Sequence, residues 1–410
     1  MNSPGKAASV CHEQSTVLTL NGGSSSIRFA LYAQATPLRR LLSGKVDRVG
    51  MNGMRLEFTG SSGQTESIND IQSDFQTTAV GYLLDWLEQR PEFPAVTAVG
   101  HRVVHGMLHT EPEQITAVLL DELRSIIANA PEHLPRQIEI IEAVLQRFPA
   151  LPQVACFDTS FHQTMPRVAT LLPIPRRYEA FGVRRYGFHG LSYEYLIKEL
   201  VRLGDPAATS GRVILAHLGN GASMTAVRDG LSIDTSMGFT PAGGLVMSSR
   251  SGDLDPGLLA YLASSEQMNA GQLQYLVNHA SGLLGVSETS SDMRDLLAHE
   301  DDDVRAAEAV ALFCYQAKKW IGSFAVVLGG LDTLVFTGGI GENAALVRSR
   351  ICAGLEFLGI EVDSKRNMNN AGLISTGSGR VKIRVIRTDE ELMIASYVLQ
   401  LLNPCNTSEN

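Results

Sequence analysis

Short apolar runs that end in glycines recur along the chain and predict β-strands joined by tight turns. Residues 17–23 (VLTLNGG) and 27–33 (IRFALYA) predict a strand, a polar turn and a second strand. Residues 212–223 (RVILAHLGNGAS) repeat this pattern far downstream. The repeat indicates two similar domains. Apolar stretches at 154–157 and 333–336 predict two further strands, both buried.

Apolar residues at helical spacing predict a helix over residues 135–148. Ile138, Ile141, Leu145 and Phe148 fall on one face of this helix. The segment begins at a proline, which is favoured in the first turn of a helix.

A longer helix is predicted after the acidic residues 301–303, because acids favour the start of a helix and glycines such as Gly329 and Gly330 favour its end. Strands that alternate with helices indicate an α/β protein. Since no low-complexity linker separates the predicted domains, we expect them to abut across a cleft. The apolar face of the long helix comprises Val310, Phe313, Ala317, Trp320, Phe324 and Leu328.

Composition and charge exclude several classes of protein. The chain has 410 residues, 44% of them hydrophobic and 19% charged, as in globular proteins with sizeable cores. A net charge of −9 without a basic run argues against nucleic acid as a partner. Residues 1–15 predict a disordered extension rather than a secretion signal, and the uncharged stretch 320–331 is too short to cross a membrane. Five cysteines without a CxxC pair are typical of a reduced, cytoplasmic protein.

Three glycine-rich turns follow predicted strands directly: residues 21–26 (NGGSSS), 217–221 (HLGNG) and 337–343 (TGGIGEN). Glycine lets the backbone approach a phosphate, and a helix beginning after the third turn would add its positive end. One such turn is more often purely structural, but three together favour nucleotide binding. The chain has no GxxxxGK[ST] motif, and TGGIGEN does not fit GxGxxG, which disfavours a P-loop ATPase and a Rossmann dehydrogenase.

Charged residues in short glycine-bounded segments are the candidates for chemistry. Arg102 (GHRVVHG) and Arg250 (SSRSGDLDPG) carry guanidinium groups, whose planar fork suits phosphate and carboxylate oxygens. His189 (YGFHG) is either a donor or acid–base group at a phosphoryl oxygen or a structural histidine. Asp158 (FDTSFH) ends a buried strand, where a carboxylate is expected to be functional or ion-paired.

Two later acidic segments have an alternative structural explanation. Glu390 (RTDEEL) opens a predicted helix, where acids commonly complement the helix dipole. Asp292 and Arg294 (SSDMRD) either contact a ribose and an adenine ring or form a helix N-terminus.

Taken in order, nine motifs between about residues 17 and 402 resemble those of the acetokinase family. The resemblance implies two ribonuclease H-like α/β domains around a nucleotide cleft, as in the superfamily of acetate and sugar kinases, heat-shock cognate proteins and actin. It implies an N-terminal domain of residues 16–160 plus 388–410 and a C-terminal nucleotide-binding and dimerisation domain of residues 161–387. The motifs are NGGSSS, GHRVVHG, FDTSFH, YGFHG, HLGNG, SRSGDLDPG, SSDMRD, TGGIGEN and TDEEL.

The activity that the resemblance implies is reversible, direct in-line transfer of the γ-phosphoryl group of ATP to acetate, giving acetyl phosphate and ADP. An acyl kinase for propionate or another short-chain acid is the alternative. The resemblance also implies Mg²⁺, with Mn²⁺ as a possible substitute, and a homodimer. A sugar kinase would need an aspartate base and a polar pocket, and a nucleotide-switched binding protein would need a further peptide-binding module.

The resemblance assigns roles to individual residues. The catalytic positions match Asp158, His189 and Arg250. The metal-associated positions match Asn21 and Glu390. The substrate carboxylate position matches Arg102, and the apolar acyl pocket matches Val104, Phe188 and Pro241. The ATP-contacting positions match Arg28 (in place of a lysine), His217, Leu218, Gly219, Asn220, Gly221, Asp292, Met293, Arg294, Gly339, Ile340, Gly341, Glu342 and Asn343.

The chain departs from the family pattern near the predicted acyl pocket. Glu132 stands where the family has leucine, His133 is retained, and Leu134 replaces an asparagine. A carboxylate beside an acetate methyl group is costly, so we expect Glu132 to turn outward or to meet a cation. Tyr193 replaces a histidine, and Met293 replaces a phenylalanine.

Overall fold

The computed structural model describes residues 15–23, 26–49, 53–71 and 78–402. Nearly all of the predicted extension, the last eight residues of the predicted N-terminal domain and Ser24–Ser25 of the NGGSSS turn lie outside these residues. Within the described residues the strands form two sheets, and helices lie between and around them. The fold is therefore mixed α/β, as the sequence predicts.

The first sheet contains eight strands within the described residues, and its centre is built around β1. Strand β1 pairs antiparallel with β2 and parallel with β6. The sheet order is β5-β4-β3-β2-β1-β6-β8-β7. The strands are β1 Thr16–Gly22, β2 Ser26–Ala33, β3 Arg39–Asp47, β4 Met54–Gly60, β5 Thr65–Ile71, β6 Val96–Val103, β7 Glu113–Gln114 and β8 Gln153–Phe157.

The second sheet, five-stranded over the described part of the chain, repeats this central arrangement. Strand β9 pairs antiparallel with β10 and parallel with β12, in the order β11-β10-β9-β12-β13. The strand–turn–strand repeat seen in the sequence is thus confirmed as a repeat of topology. The strands are β9 Arg212–Leu218, β10 Ala222–Arg228, β11 Leu231–Thr235, β12 Thr333–Thr337 and β13 Lys382–Val385.

Helices cover both sheets, and the two predicted from apolar spacing are confirmed. The helices within the described residues are α1 Ala79–Glu88, α2 Ala117–Ser125, α3 Leu134–Arg147, α4 Arg167–Thr170, α5 Gly190–Arg202, α6 Ala207–Ser210, α7 Pro256–Ser265, α8 Ala270–His279, α9 Gly282–Ser287, α10 Met293–His299, α11 Val304–Leu328, α12 Gly338–Asn343, α13 Ala345–Cys352, α14 Ser364–Met368 and α15 Glu390–Leu402. Five 3₁₀ turns also occur there, at Phe93–Ala95, Ile127–Asn129, Ser160–Thr164, Arg176–Phe181 and Glu356–Leu358.

The long helix α11 begins and ends where the sequence indicates. The Asp303 side chain accepts a hydrogen bond from the backbone N–H of Arg305, and Gly329 ends the helix in a left-handed conformation (φ +70°). Most of the predicted face is buried in the core, whereas Trp320 is only partly buried.

Two local predictions need correction. In α3 the buried face includes the polar Gln137, whereas Leu145 and Phe148 are only partly buried. Residues 337–343 do not form an open turn, because most of them form the short helix α12. The helix predicted after this segment is present as α13, which begins at Ala345. The reason is local: Gly338 turns the chain at φ +78°, and the Glu342 carboxylate accepts a hydrogen bond from the Gly338 N–H at 3.0 Å.

The C-terminal helix α15 returns to the first sheet. Met393, Ile394 and Val398 pack in one apolar cluster with residues of β1, β2, β6 and β8. Helix α5 lies between the sheets, since Leu191 belongs to that cluster and Leu196 belongs to a cluster with β9 and β12. These contacts hold the ends of the central strands of both sheets together. No helix in the described ranges is long and apolar enough to cross a bilayer.

Candidate functional site

Arg102 lies on β6, and its partner Asp158 immediately follows the adjacent parallel strand β8. The guanidinium Nη2 donates to Asp158 Oδ2 at 2.6 Å, and Nη1 reaches Asn21 Oδ1 at 3.4 Å. Burial disfavours the charge of Arg102, but the attraction of Asp158 and Glu390 outweighs it and raises the pKa of Arg102. The first sheet thus holds a buried, neutralised arginine at the carboxyl end of its strands.

An amide and two carboxylates meet beside this arginine. Asn21, near the end of β1, donates from Nδ2 to Glu390 Oε2 at 2.8 Å and to Glu391 Oε1 at 3.3 Å. Burial and the neighbouring Glu390 raise the pKa of Glu391. The structure brings the two predicted metal residues into contact and adds Glu391, which the sequence reasoning did not include. The sequence did contain a signal for Glu391, because two consecutive acids, Glu390 and Glu391, open the predicted helix.

Arg250 approaches from the second half of the chain and is differently surrounded. It lies in the loop before α7, where Nη1 donates to the Pro241 carbonyl at 2.8 Å and contacts Met247 Sδ at 3.5 Å. Among the described residues, no carboxylate accepts a hydrogen bond from its side chain. Burial and the repulsion of Arg102 lower the pKa of Arg250 to about 10. A buried cation without an acidic hydrogen-bond partner is suited to binding an anion.

The charges of both arginines influence His133. Burial, then Arg250 and Arg102, lower the pKa of the His133 imidazole to about 3. Its buried Nδ1 atom has no hydrogen-bond partner in the part of the chain that the structure describes. This neutral imidazole is a further candidate site residue. The sequence places it within APEHLP but gives it no role, since its neighbours come from distant segments.

His189 connects the two sheets at the start of α5. It adopts a left-handed backbone conformation (φ +60°), which is strained for a residue with a side chain, and its N–H donates to Asp158 Oδ2 at 3.1 Å. The imidazole stacks on His217 with centroids 4.1 Å apart. Burial, His217 and Arg102 hold the pKa of His189 well below its usual range. The imidazole is therefore neutral at pH 7.

The His189 ring is hydrogen-bonded to a chain of two hydroxyl groups, those of Ser223 and Tyr193, which we call the hydroxyl relay. His189 Nδ1 lies 2.9 Å from Ser223 Oγ on β10, and Ser223 Oγ also bonds the Tyr193 hydroxyl. Burial raises the pKa of the Tyr193 phenol, so this group stays protonated. Tyr193, noted in the sequence only as a departure, thus acts on a predicted catalytic residue.

The predicted acyl pocket is partly assembled by contacts that the structure shows. Val104 and Phe188 belong to the same apolar cluster, and Pro241 is tied to Arg250 through its carbonyl. Gln137 supports this region, because its Oε1 accepts from the Val104 N–H at 2.9 Å and its Nε2 donates to the Gly22 carbonyl at 3.0 Å. A buried glutamine in an apolar helix face carries no local signal for such a role.

Glu132 contacts a histidine rather than standing unpaired in an apolar pocket. Its Oε2 lies 2.8 Å from Nε2 of His279, the last residue of α8. The pair is partly exposed. The partner was not predicted, because 147 residues separate the two positions.

Two of the three predicted ATP segments lie together. A Cβ on Gly338 would lie 2.7 Å from the Leu218 carbonyl oxygen, and a Cβ on Gly219 would lie 3.7 Å from the Gly339 nitrogen. Only glycine permits this close approach of the 217–221 turn and the start of α12. Because Glu342 bonds the Gly338 N–H, that backbone group already has an acidic partner.

The remaining ATP candidates are less clearly assembled. Asp292 caps α10 and pairs with Arg294, whose side chain is 89% exposed, while the Met293 side chain is buried in the core. No hydrogen bond between described residues joins Asp292 or Arg294 to the other candidates. Arg28 pairs with Asn21 across β1 and β2, is exposed, and lowers the pKa of Glu391 against the effect of burial.

The chain is similar to known proteins over nearly its whole length. The acetate kinase of Rhodopseudomonas palustris is 44% identical over 392 residues, covering 94% of this chain and 98% of the relative. The crystal structure of Porphyromonas gingivalis acetate kinase matches with a TM-score of 0.83 at 37% identity, covering 95% and 100% of the two chains. A propionate kinase structure from Francisella tularensis matches with a TM-score of 0.86 at 38% identity, covering 93% and 98%.

These likenesses extend over both sheets and the residues between them. They establish the paired ribonuclease H-like fold that the motif order implies. They also establish the class of reaction, ATP-dependent phosphoryl transfer to a carboxyl group. The acetokinase family profile matches residues 16–396, and the chain belongs to this family.

Proposed function

We propose that the chain transfers the γ-phosphoryl group of ATP to acetate, reversibly, and forms acetyl phosphate and ADP. The observation that carries this proposal is the convergence of Arg102 and Arg250 beside His189. Asp158 Oδ2 accepts hydrogen bonds from both Arg102 and the His189 N–H. A Cβ on Gly221 would lie 3.4 Å from His189 Nε2 and 3.6 Å from Arg250 Nη1. The relatives named acetate kinase support the choice of acetate.

The chemistry requires charge neutralisation rather than a general base. A carboxylic acid with a pKa of about 4–5 is already ionised at neutral pH. The barrier arises because one anion must approach another, and phosphoryl transfer depends mainly on positioning and electrostatic stabilisation. Two buried guanidinium groups meet this requirement. Direct in-line displacement, with no covalent enzyme intermediate, is the simplest mechanism for such a site.

Each side chain has a role that fits its contacts. Arg102 binds the acetate carboxylate, and Arg250 binds the equatorial oxygens of the transferring phosphoryl group. His189 donates from Nε2 to the same oxygens, because its Nδ1 is occupied by Ser223. Asp158 orients Arg102 and the His189 backbone and does not remove a proton. The structure gives Asp158 no hydrogen bond to the Arg250 side chain.

The oxygen-rich corner beside Arg102 fits Mg²⁺, with Mn²⁺ as a substitute. Asn21, Glu390 and Glu391 offer hard oxygen ligands, and Asp158 Oδ1 is buried without a hydrogen-bond partner in the described residues. The metal, when bound with ATP, supplies charge neutralisation at the phosphate oxygens. Within the described ranges no cluster of three or more His, Cys, Asp and Glu side chains could hold a metal, so nucleotide oxygens and water must complete its coordination.

The acyl preference is the open alternative, because a propionate kinase is among the similar structures. One methylene in an apolar pocket changes selectivity by roughly 10–200-fold. We propose acetate as the preferred acceptor, and the test is turnover with acetate, propionate and butyrate in the presence of ATP and Mg²⁺. ADP release together with capture of the acyl phosphate by hydroxylamine identifies the product. A higher kcat/KM for propionate than for acetate would make propionate the preferred acceptor. If none of the acids yields an acyl phosphate, the proposal is refuted.

The assembly and domain arrangement are also proposed from the family. We expect a homodimer of the 44.3 kDa chain through the C-terminal domain, and light scattering after size exclusion measures its mass. We expect residues 16–160 plus 388–410 to move as a unit against residues 161–387 when ATP binds, shutting water out of the cleft. Recovery of a monomer alone would contradict the dimer.

A further inference from the structure

One side-chain pair links the two halves of the site beside Arg250. Glu132 lies between α2 and α3, immediately before His133, and its Oε2 contacts His279 Nε2 at 2.8 Å. His279 ends α8, which belongs to the other half of the chain. The pair therefore joins the loop that carries His133 to a segment beyond Arg250.

That segment holds the Arg250 loop by several hydrogen bonds. Ser249 Oγ donates to the Asn278 carbonyl at 2.9 Å, and the Ser251 N–H donates to the Val277 carbonyl at 2.9 Å. The Ser281 N–H in turn donates to the Ser249 carbonyl at 3.0 Å. The residues bonded to the Arg250 loop thus lie on both sides of His279. Because these bonds involve the residues before and after Arg250, a shift of His279 would also shift the Arg250 backbone.

Glu132 and His279 also influence the pKa values of site residues. The Glu132 carboxylate raises the pKa of Arg250 against the larger effects of burial and Arg102. His279 adds to the repulsion at His133 that Arg250 and Arg102 exert. The Tyr275 ring, one turn earlier on α8, packs against the His279 imidazole with centroids 5.3 Å apart and limits its freedom.

We propose that Glu132 and His279 are positioning residues, which hold the Arg250 loop at a fixed distance from His133 and Arg102. This inference rests on the proposed function, because it concerns the alignment of the same phosphoryl-transfer site. The pair is partly exposed, so its contribution to the free energy of unfolding is small. Its effect falls on turnover, since small misplacements of catalytic groups reduce rates strongly.

The test is a double-mutant cycle with Glu132→Leu, His279→Leu and the double variant. We expect each single variant to lower kcat with the preferred acid by about tenfold, with little change in KM for ATP. The double variant should be no slower than either single variant, because residues that act through one contact are not additive. Glu132→Gln retains an oxygen that accepts a hydrogen bond and should recover most of the lost turnover.

The matched control is Glu122→Leu, which breaks another histidine–carboxylate pair that lies wholly in the first half of the chain. Glu122 Oε2 is 3.1 Å from His109 Nε2, and its side chain is 54% exposed. This variant should keep the wild-type kcat. If the effects of the two single variants on kcat multiply in the double variant, the positioning role is wrong. It is also wrong if the kcat of each single variant stays within twofold of wild type. A changed preference among acids at unchanged kcat would assign Glu132 to the pocket wall instead and would also overturn it.

Hydrogen–deuterium exchange of the ligand-free protein provides a readout that does not depend on activity. The Ser251 and Ser281 N–H groups bond the Arg250 loop to the His279 segment, and they should exchange faster in Glu132→Leu than in wild type and Glu122→Leu. Unchanged exchange would count against the inference. If wild type forms no acyl phosphate, the proposed function fails, while the exchange result still decides whether the pair holds the Arg250 loop.

Discussion

Arg102 and Arg250 both carry partly buried guanidinium groups, yet the two halves of the molecule surround them differently. In the first half, Asp158 contacts Arg102 at 2.6 Å and Glu390 adds further negative charge. In the second half, Arg250 bonds a carbonyl and a thioether, and its pKa is lowered to about 10. The pKa of one arginine is raised and that of the other is lowered, although both lie near His133.

Arg102 therefore belongs to a preformed part of the site, whereas the charge of Arg250 is stabilised fully only when an anion binds. The Arg102–Asp158 pair is complete before any reactant binds, so it orients a carboxylate at little further cost. Arg250 has paid the desolvation of its charge without an acidic partner, so an anion that reaches it is bound strongly. Charge that develops on a transferring phosphoryl group is such an anion. The four predictions below test this contrast.

The largest expected effect is on the stability of Arg102→Ala. The substitution leaves the Asp158 carboxylate buried and unpaired, which typically costs 3–5 kcal/mol, so we expect the free energy of unfolding to fall by about that amount. Denaturant unfolding followed by circular dichroism measures it. Arg102→Ala combined with Asp158→Asn should regain part of the loss, because the second change removes the unpaired charge. Equal stability of the two variants would show that the pair is not what stabilises this half.

The second prediction is that Arg250→Ala lowers kcat without lowering stability. Loss of one donor to developing charge typically costs about 10²–10³ in turnover, so we expect at least a hundredfold decrease in kcat. Its free energy of unfolding should equal or exceed that of wild type, because a buried cation without an acidic hydrogen-bond partner is removed. Arg202→Ala, at a 70% exposed side chain at the end of α5, is the control. Near-normal turnover, or a large loss of stability, would remove the contrast with Arg102.

Local sequence signals predicted several strands and helices of the fold. The apolar run before Asp158 forms the buried strand β8, and the acidic start and glycine end of α11 mark its observed bounds. The repeat of strand, glycine turn and strand corresponds to the repeated pairing of β1 with β2 and of β9 with β10. These features depend on short-range patterns, which a single sequence contains.

The contacts that set the electrostatics depend on distant segments and have no local signal. Gln137 lies within a predicted helix, and nothing local shows that its side chain bonds both the Val104 N–H and the Gly22 carbonyl. The sequence predicts that Glu132 turns outward or meets a cation, but it gives no sign that His279 is the residue it contacts. Residues 337–343 contain glycines typical of a turn, and the short helix there depends on the Glu342 side chain. The resemblance supplied the site residues, and the structure supplied their charge balance.

The third prediction extends the contrast to buried histidines. Burial lowers the pKa of His101, His105 and His162 to about 4, against about 6.5 in an unfolded chain. Between about pH 4 and 6.5 the unfolded chain therefore binds more protons than the folded one. The stability they contribute is complete above pH 6.5 and is lost as the pH falls toward 4, which urea unfolding between pH 7.5 and 5 measures.

A single variant shows whether these groups cause the loss. His101→Gln replaces a buried imidazole that bonds Gln153, and it should reduce the slope of stability against pH by about one proton, or about 1.4 kcal/mol per pH unit. His299→Gln, on the exposed end of α10, should leave the slope unchanged. An unchanged slope for both variants would attribute the acid sensitivity to other groups.

The smallest expected effect concerns His189, whose pKa is lowered by both arginines after burial and His217. We expect the Tyr193 hydroxyl to donate to Ser223 and Ser223 to donate to His189 Nδ1, which keeps the ring proton on Nε2 for the phosphoryl oxygens. Tyr193→Phe removes the first donor of this relay. One hydrogen bond contributes about 1 kcal/mol, so kcat should fall about fivefold while KM for the acid stays constant.

Ser223→Ala should have a similar effect on kcat, and the double variant should add little, because both changes disrupt the same relay to the His189 ring. Tyr397→Phe, which removes a phenol bonded to Glu194 on the outer side of α5, is the matched control and should keep wild-type turnover. If Tyr193→Phe raises KM instead of lowering kcat, the relay orients the bound acid and not the imidazole. His189 would then belong with Arg102 in the preformed part of the site, and Arg250 alone would respond to the charge that develops during transfer.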